Sequence, residues 1–155
     1  EVLADRRFRT GDLGFWYLGQ LYFCSRKDDL IIVNGQNVVP DDIELSVEQL
    51  PFIRPDSSVL VAVESTETGL QLLYLLVEAN AGISPEEVQK RKLETISHVY
   101  SNHGLLVNAV HLCAKGTIEK TSSGKKRRKV IRGRFIANNI EMIKGEKTDE
   151  LEAAI

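Results

Sequence analysis

Ser58-Val59-Leu60-Val61-Ala62-Val63-Glu64, then Ser65-Thr66-Glu67-Thr68-Gly69, then Leu70-Gln71-Leu72-Leu73-Tyr74-Leu75-Leu76-Val77-Glu78-Ala79 decide the fold class. Two runs rich in Val, Leu and Tyr flank five small or polar residues that end in glycine. They read as two strands joined by a hairpin loop. Downstream, Ser84-Pro85-Glu86-Glu87 opens a helix, with serine as N-cap, proline at the first helical position and glutamate at the third. Val88, Leu93, Ile96, Val99 and Tyr100 are its expected buried residues, and His103-Gly104 its stop. Leu105 to Leu112 follows as a further strand. A helix from about Lys126 to Ile143 comes next, with Val130, Ile131, Ile136, Ile140 and Ile143 apolar.

Upstream, Pro40-Asp41-Asp42-Ile43-Glu44 opens a helix with Asp41 as cap and Glu44 in the position of a capping box. Ile43, Val47 and Leu50 line its apolar face and Pro51 ends it. Residues 8–33 read as two hairpin-like pieces, with Leu21–Cys24 and Leu30–Val33 as strands. Gly19 and Lys27-Asp28-Asp29 supply turns, and Asn34-Gly35-Gln36-Asn37 is a further turn. The order gives an α+β fold: a small domain with a central, mostly antiparallel sheet flanked by helices and preceded by a β-hairpin.

The 155 residues suffice for one domain with its own core, or a small domain plus part of another. A hydrophobic share of 43% and a charged share of 27% are those of an ordinary globular protein. The net charge of −2 argues for neither nucleic acid nor a membrane surface. It hides an asymmetry, because eight of the twenty Lys and Arg lie between Lys120 and Arg134. Cys24 and Cys113 sit among apolar neighbours and read as reduced, buried thiols of a cytoplasmic protein. No apolar run is long enough to span a membrane, and no signal peptide is visible. The chain opens at Glu1-Val2-Leu3 without methionine, which reads as a fragment of something larger.

Lys120-Thr121-Ser122-Ser123-Gly124-Lys125 sets a lysine on a turn of small hydroxylated residues, where a compact mobile cation can reach an anion. A Walker loop is excluded: Gly116 lies too far upstream, and Lys126 follows Lys125 where serine or threonine is required. Lys125-Lys126-Arg127-Arg128-Lys129 could instead be a nucleic-acid patch. No aromatic interleaves it as a stacking platform, however, and the acidic remainder opposes a polyanion. A solvated helix start is the plain alternative.

Three stretches stand together in order. They are Phe8-Arg9-Thr10-Gly11-Asp12-Leu13-Gly14, then Gly19 to Phe23 with Ser25-Arg26-Lys27-Asp28-Asp29-Leu30-Ile31-Ile32-Val33-Asn34-Gly35, then Thr121-Ser122-Ser123-Gly124-Lys125. They resemble the motifs of the adenylate-forming enzymes: acyl-CoA synthetases, peptide-synthetase adenylation domains and fatty acyl-AMP ligases. Asp29 to Val33, Gly35-Gln36-Asn37, Pro40 to Glu44, Asn102-His103-Gly104 and Arg127-Arg128 most resemble the fatty acyl-AMP ligases.

The resemblance implies that residues 1–26 end a large N-terminal domain, that 27–145 form its mobile C-terminal partner, and that 146–155 are a frayed tail. The full protein would use ATP and Mg²⁺, both bound mainly by the N-terminal domain, to adenylate a fatty acid. It would then pass the acyl group to an acyl carrier protein, the fragment alone being inactive. An acyl-CoA synthetase using free CoA, or a non-catalytic basic-patch module, are the competing readings. Lys125 would bridge carboxylate and phosphate as the catalytic cation; otherwise it is a surface lysine. Asp12 would hold the ribose hydroxyls, or else is a turn aspartate. Arg26 would contact the nucleotide, or else pair with Asp28 or Asp29. Asp28 would be the interdomain hinge, and Gly35, Gln36 and Asn37 the loop passed by the acceptor thiol; a plain hairpin turn is the alternative.

No metal-ligand spacing links His98, His103 and His111, which read as packing, surface or helix-end residues. Phe15-Trp16-Tyr17 reads as interdomain or core packing. Four positions depart from the family pattern: Ser25 for glycine, Asn34 for arginine, Glu119 for proline, and Lys126 for an aliphatic residue.

Overall fold

Strands β1 (Asp12–Tyr17) and β2 (Gln20–Arg26) form an antiparallel ribbon, and β3 (Ile31–Val33) and β4 (Gln36–Val38) a second, shorter one. Helix α1 (Pro40–Val47) follows, then β5 (Ile53–Glu64), β6 (Gln71–Ala79), α2 (Pro85–His103), β7 (Ala109–Cys113) and α3 (Arg128–Ile136). This is a computed structural model, and it describes residues 8–33 and 35–143. Asn34 and the expected tail at 146–155 lie outside the described residues. The chain divides into two compact units, one up to Asp41 and one from Asp42 on.

In the first unit every residue of β1 is exposed, and of β2 only Ser25 is buried. A two-stranded ribbon has two faces and no layer of its own to cover either. Phe15 and Tyr22 stack on one another at 5.3 Å, while Trp16 is 72% exposed. Within the described residues Phe15, Trp16 and Tyr17 are thus exposed and are not part of a core. Cys24, expected as a buried thiol, is exposed for the same reason; Cys113 is buried. Gly14 faces Tyr22 so closely that a Cβ would lie 2.5 Å from the Tyr22 carbonyl oxygen, which makes glycine obligatory in the ribbon. Gln36 and Asn37, read as turn residues, lie in β4 and pair with Val33 and Ile32.

In the second unit the sheet order is β5-β6-β7, with β5/β6 antiparallel and β6/β7 parallel. The parallel pairing needs a crossover, which α2 supplies. Residues of β6 from Leu73 to Ala79 are all buried, as expected for a middle strand covered on both faces. Alternation sorts the side chains. Val59, Val61, Val63, Tyr74, Leu76 and Cys113 pack with Ile118 and with Ile131 and Phe135 of α3. The His111 ring lies 5.3 Å from Phe135 and 6.0 Å from Tyr74, a packing role.

Helix α2 begins as its sequence dictates. Ser84 takes an extended N-cap conformation, Glu87 Oε2 accepts the Ser84 N–H at 3.2 Å, and Gly104 ends the helix at φ +63°. Its hydrogen bonds to Ser84 hold the Glu87 carboxyl below the ordinary glutamate range. The buried face differs from the expected one: Val88, Lys92, Thr95 and Val99 point inward, while Leu93 and Tyr100 are exposed. Each is one residue, about 100°, past an inward position. Helix α3 is shorter than the expected span to Ile143. Asn138 adopts φ +51°, and residues 141–143 run beside β7, where Ala114 N–H donates to Glu141 O and Ile143 N–H to Leu112 O. Met142 thus bridges to Cys113 at the sheet edge, and Ile140 and Met142 pack against the core formed by the sheet and α3.

Candidate functional site

The lysine turn belongs to the second unit. Lys120 and Lys126 face one another as an isolated antiparallel bridge, and Thr121 N–H donates to Lys125 O at 2.8 Å. Inside the loop, Gly124 N–H donates to Thr121 O, and Lys125 N–H to Thr121 Oγ1 at 3.1 Å. Gly124 sits at φ +82°, a conformation cheap only for glycine. Five residues therefore form a closed loop with Lys125 at its end. Lys125 is exposed, and among the described residues nothing pairs with its ammonium.

The basic residues around it are spent on the fold. Lys126, only 12% exposed, places Nζ 3.0 Å from Glu44 Oε2 and 3.0 Å from Glu48 Oε1. Arg128 pairs with Glu44 Oε1. Lys120 Nζ lies 2.7 Å from Asp56 Oδ2. Glu119 is held by Arg127 at 3.2 Å and by Arg134 at 2.6 Å. Arg132 Nε donates to Ala62 O at 2.7 Å. A nucleic-acid surface would need these cations free to meet phosphates; here they face carboxylates and a carbonyl of the same unit.

The acids have a second task. β5 is an edge strand, and its outward amides need acceptors. Glu48 Oε2 accepts Asp56 N–H at 2.7 Å and its Oε1 accepts Ser58 N–H at 3.0 Å. Glu44 Oε1 accepts Leu60 N–H at 2.8 Å. Glu44 is fully buried, so the capping-box expectation fails: its carboxylate points across to β5 and not back along its own helix. Upstream of the turn, Glu78 Oε1 accepts Gly116 N–H at 3.0 Å and Ile118 N–H at 2.8 Å. Residues on both sides of Lys125 are thereby fastened to buried carboxylates.

In the first unit Asp12 and Arg26 are cross-strand partners at the open end of the ribbon. Arg26 Nε lies 3.4 Å from Asp12 Oδ1, and an Arg26 terminal nitrogen donates to Thr10 O at 3.1 Å. The two expected nucleotide residues thus stand together, both about half exposed, with carboxylate and guanidinium edges open to water. Asp28 occupies the turn between β2 and β3, where Asp29 and Leu30 N–H donate to Arg26 O. Gly35, Gln36 and Asn37 are exposed at the start of β4. Among the described residues no three His, Cys, Asp or Glu side chains converge as metal ligands, and no helix is long and apolar enough to cross a membrane.

Glu48 and Asp56 are not singled out by the sequence reading, and Glu44 is singled out there only as a helix cap. Their signal was the pairing of a basic run with an acidic remainder, and the lysine at 126 in place of an aliphatic residue.

Against known proteins, the chain is 36% identical over 142 residues to the medium-chain-fatty-acid acyl-carrier-protein ligase JamA of Moorena producens. That alignment takes in 86% of this chain and 22% of JamA. It is 33% identical to the long-chain-fatty-acid AMP ligase FadD26 of Mycobacterium tuberculosis, over 87% of this chain and 23% of that protein. Among solved structures, one of the fatty acyl-adenylate ligases from E. coli and L. pneumophila superposes with a TM-score of 0.70 at 30% identity, covering 85% of this chain and 22% of the other. The chain thus spans under a quarter of the length of these relatives. Residues 28–145 match the model of the Disco-interacting protein 2-like AMP domain, and the chain belongs to that family, within the adenylate-forming enzymes.

Proposed function

We propose that this chain supplies the mobile C-terminal part, residues 27–145, of an ATP-dependent fatty acyl-AMP ligase, and that Lys125 is its catalytic cation. The observation that carries the reading is the isolation of one ammonium at the end of a closed loop whose neighbouring cations are all engaged elsewhere. In adenylation a carboxylate oxygen forms a bond to the α-phosphorus of ATP. The bond to the bridging oxygen breaks, and pyrophosphate leaves with its electron pair. Two anions must approach, so an unpaired cation placed between them lowers the barrier. Lys126, buried against two carboxylates, is unsuited to that task; Lys125 is free for it.

Asp12 and Arg26 form the nucleotide's second contact in this reading. The carboxylate accepts hydrogen bonds from both ribose hydroxyls, and Arg26 orients it from 3.4 Å. Residues 1–26 belong to the large domain, and Asp28 is the hinge after which the lysine turn is carried in and withdrawn. Magnesium accompanies the phosphates on the large domain, outside this chain. In the second half-reaction a thiol sulfur attacks the acyl carbon, AMP leaves, and the thiol proton passes to solvent. Gly35, Gln36 and Asn37 border that thiol's path. A carrier-protein phosphopantetheine is the acceptor, supported by the acyl-carrier-protein ligase named among the relatives. The fragment without the large domain is inactive.

The test is to supply the full-length protein with fatty acid and ATP, follow acyl-AMP and pyrophosphate, then add holo carrier protein or CoA. Acyl-AMP followed by loading of the carrier supports the reading. Acyl-CoA as the main product replaces it with an acyl-CoA synthetase, and absence of any acyl-AMP removes catalysis from the account.

A further inference from the structure

The lysine turn has two feet, and each is tied to the same edge strand by a different acid. Lys120 and Lys126 are bridge partners, so they mark the points where the loop leaves and rejoins the body of the unit. Lys120 is tied to Asp56, which sits at φ +55° in the irregularity of β5 between Ile53 and Ser58. Lys126 is tied to Glu44 and Glu48, which themselves accept the β5 amides of Leu60, Ser58 and Asp56. Arg128, at the first position of α3, closes on the same Glu44. One buried carboxylate thus joins α1, the β5 edge, the outgoing foot of the loop and the start of α3.

That arrangement exceeds what stability requires. Replacing a buried ionic cluster by apolar side chains is often neutral or stabilising, and an aliphatic residue at 126 would pack against α1 without ions. What the cluster adds is direction. Two carboxylates that are themselves held by β5 amides grip the Lys126 ammonium at 3.0 Å each, so the outgoing foot is tethered to α1 and β5 at a defined point, and Lys126 is bonded directly to Lys125. A long flexible side chain is useful as a catalytic cation only when its root is fixed, since misplacement by about 1 Å can cost on the order of 100-fold in rate.

We infer that Glu44 is a positioning residue for Lys125: its carboxylate, joined to Lys126, Arg128 and the Leu60 amide, holds the outgoing foot of the lysine turn, with Asp56 holding the incoming foot through Lys120. This rests on the reading of Lys125 as the adenylation cation. It predicts a defect confined to the half-reaction that uses the turn.

The experiment measures both half-reactions in the full-length protein for Glu44→Gln, Lys126→Met, Asp56→Asn and Lys125→Ala, with thermal midpoints alongside. Glu44→Gln should lower kcat for acyl-AMP formation about 10- to 100-fold while KM for ATP changes less than about 2-fold. Transfer from preformed acyl-AMP to the thiol acceptor should stay within about 2-fold of the parent. Lys126→Met should match it, and the double variant Glu44→Gln with Lys126→Met should lose far less than the product of the two losses, because both act on one contact. Asp56→Asn keeps a residue that tolerates positive φ and removes an exposed pair, so it tests the incoming foot in a folded protein even where Glu44→Gln does not fold; its expected loss is about 3- to 10-fold in the same half-reaction. Full acyl-AMP formation by Glu44→Gln, or by Asp56→Asn if only that variant folds, overturns the inference. An equal fall in both half-reactions that tracks the thermal midpoint also overturns it, since that is mere loss of fold. Normal acyl-AMP formation by Lys125→Ala is a different failure, removing the reading on which the inference rests.

Discussion

Two acid–base groupings in this chain use the same side-chain chemistry in opposite surroundings. Asp12 and Arg26 face each other on a ribbon open to water, 45% and 57% exposed. Glu44, Lys126 and Arg128 meet where the carboxylate is sealed from water. An exposed pair contributes roughly 0–1 kcal/mol and exchanges readily with solvent or a ligand. A buried carboxylate cannot be left unpartnered without a large penalty. The difference separates charges available to a substrate from charges committed to the fold. Lys125 belongs with the first group although its neighbour Lys126 belongs with the second.

Removing one member from each grouping should expose that contrast. Glu44→Ala removes one of the two carboxylates that hold Lys126, the carboxylate that pairs with Arg128, and the acceptor of the Leu60 amide. It should cost about 3–5 kcal/mol in urea unfolding followed by circular dichroism; a change below about 1 kcal/mol would place the cluster with the exposed pairs. Asp12→Asn should shift the urea midpoint by no more than about 1 kcal/mol equivalent. It should weaken nucleotide binding by about 10- to 100-fold, the scale of a lost hydrogen bond to a charged group, as read by titration with an ATP analogue. Unchanged nucleotide affinity would return Asp12 to the role of a turn aspartate.

Helix α2 offers the smallest effect. The hydrogen bonds to Ser84 hold the Glu87 carboxyl below its ordinary value of 4.5. A depressed folded-state value means its contribution is complete above the unfolded value and is lost as pH falls through the folded one. Urea midpoints collected from about pH 6 down to about pH 3 should therefore decline with a shallower acid limb in Glu87→Gln than in the parent. Identical limbs would show that the bond to Ser84 does not favour the ionised form.

What could be read in advance followed from the range of the interaction. The strands at Ser58–Glu64 and in Leu70–Ala79 were legible because their apolar residues cluster locally. The start and stop of α2 were legible because Ser84, Pro85, Glu87 and Gly104 act within one turn. Positions 140 to 143 misled, because Ile140, Met142 and Ile143 suit a helix face and a sheet edge equally. Asn138 and the pairing with Leu112 decide for the edge. Glu44 misled more deeply. Its spacing from Asp41 fits a capping box, yet its partners Lys126 and Arg128 lie 82 and 84 residues away, beyond any local pattern. The same distance hid the inward fate of the basic run.

The central claim is that within this run Lys125 alone is held for chemistry while its neighbours hold the fold. The most direct test is fatty-acid-dependent ATP–pyrophosphate exchange by the full-length protein carrying Lys125→Ala, measured together with its urea midpoint. Exchange should fall about 100- to 1,000-fold, the scale of removing one transition-state electrostatic contact, while stability stays within about 0.5 kcal/mol of the parent. Exchange at the parent rate, or a loss of exchange that merely follows a fall in the midpoint, would contradict the account.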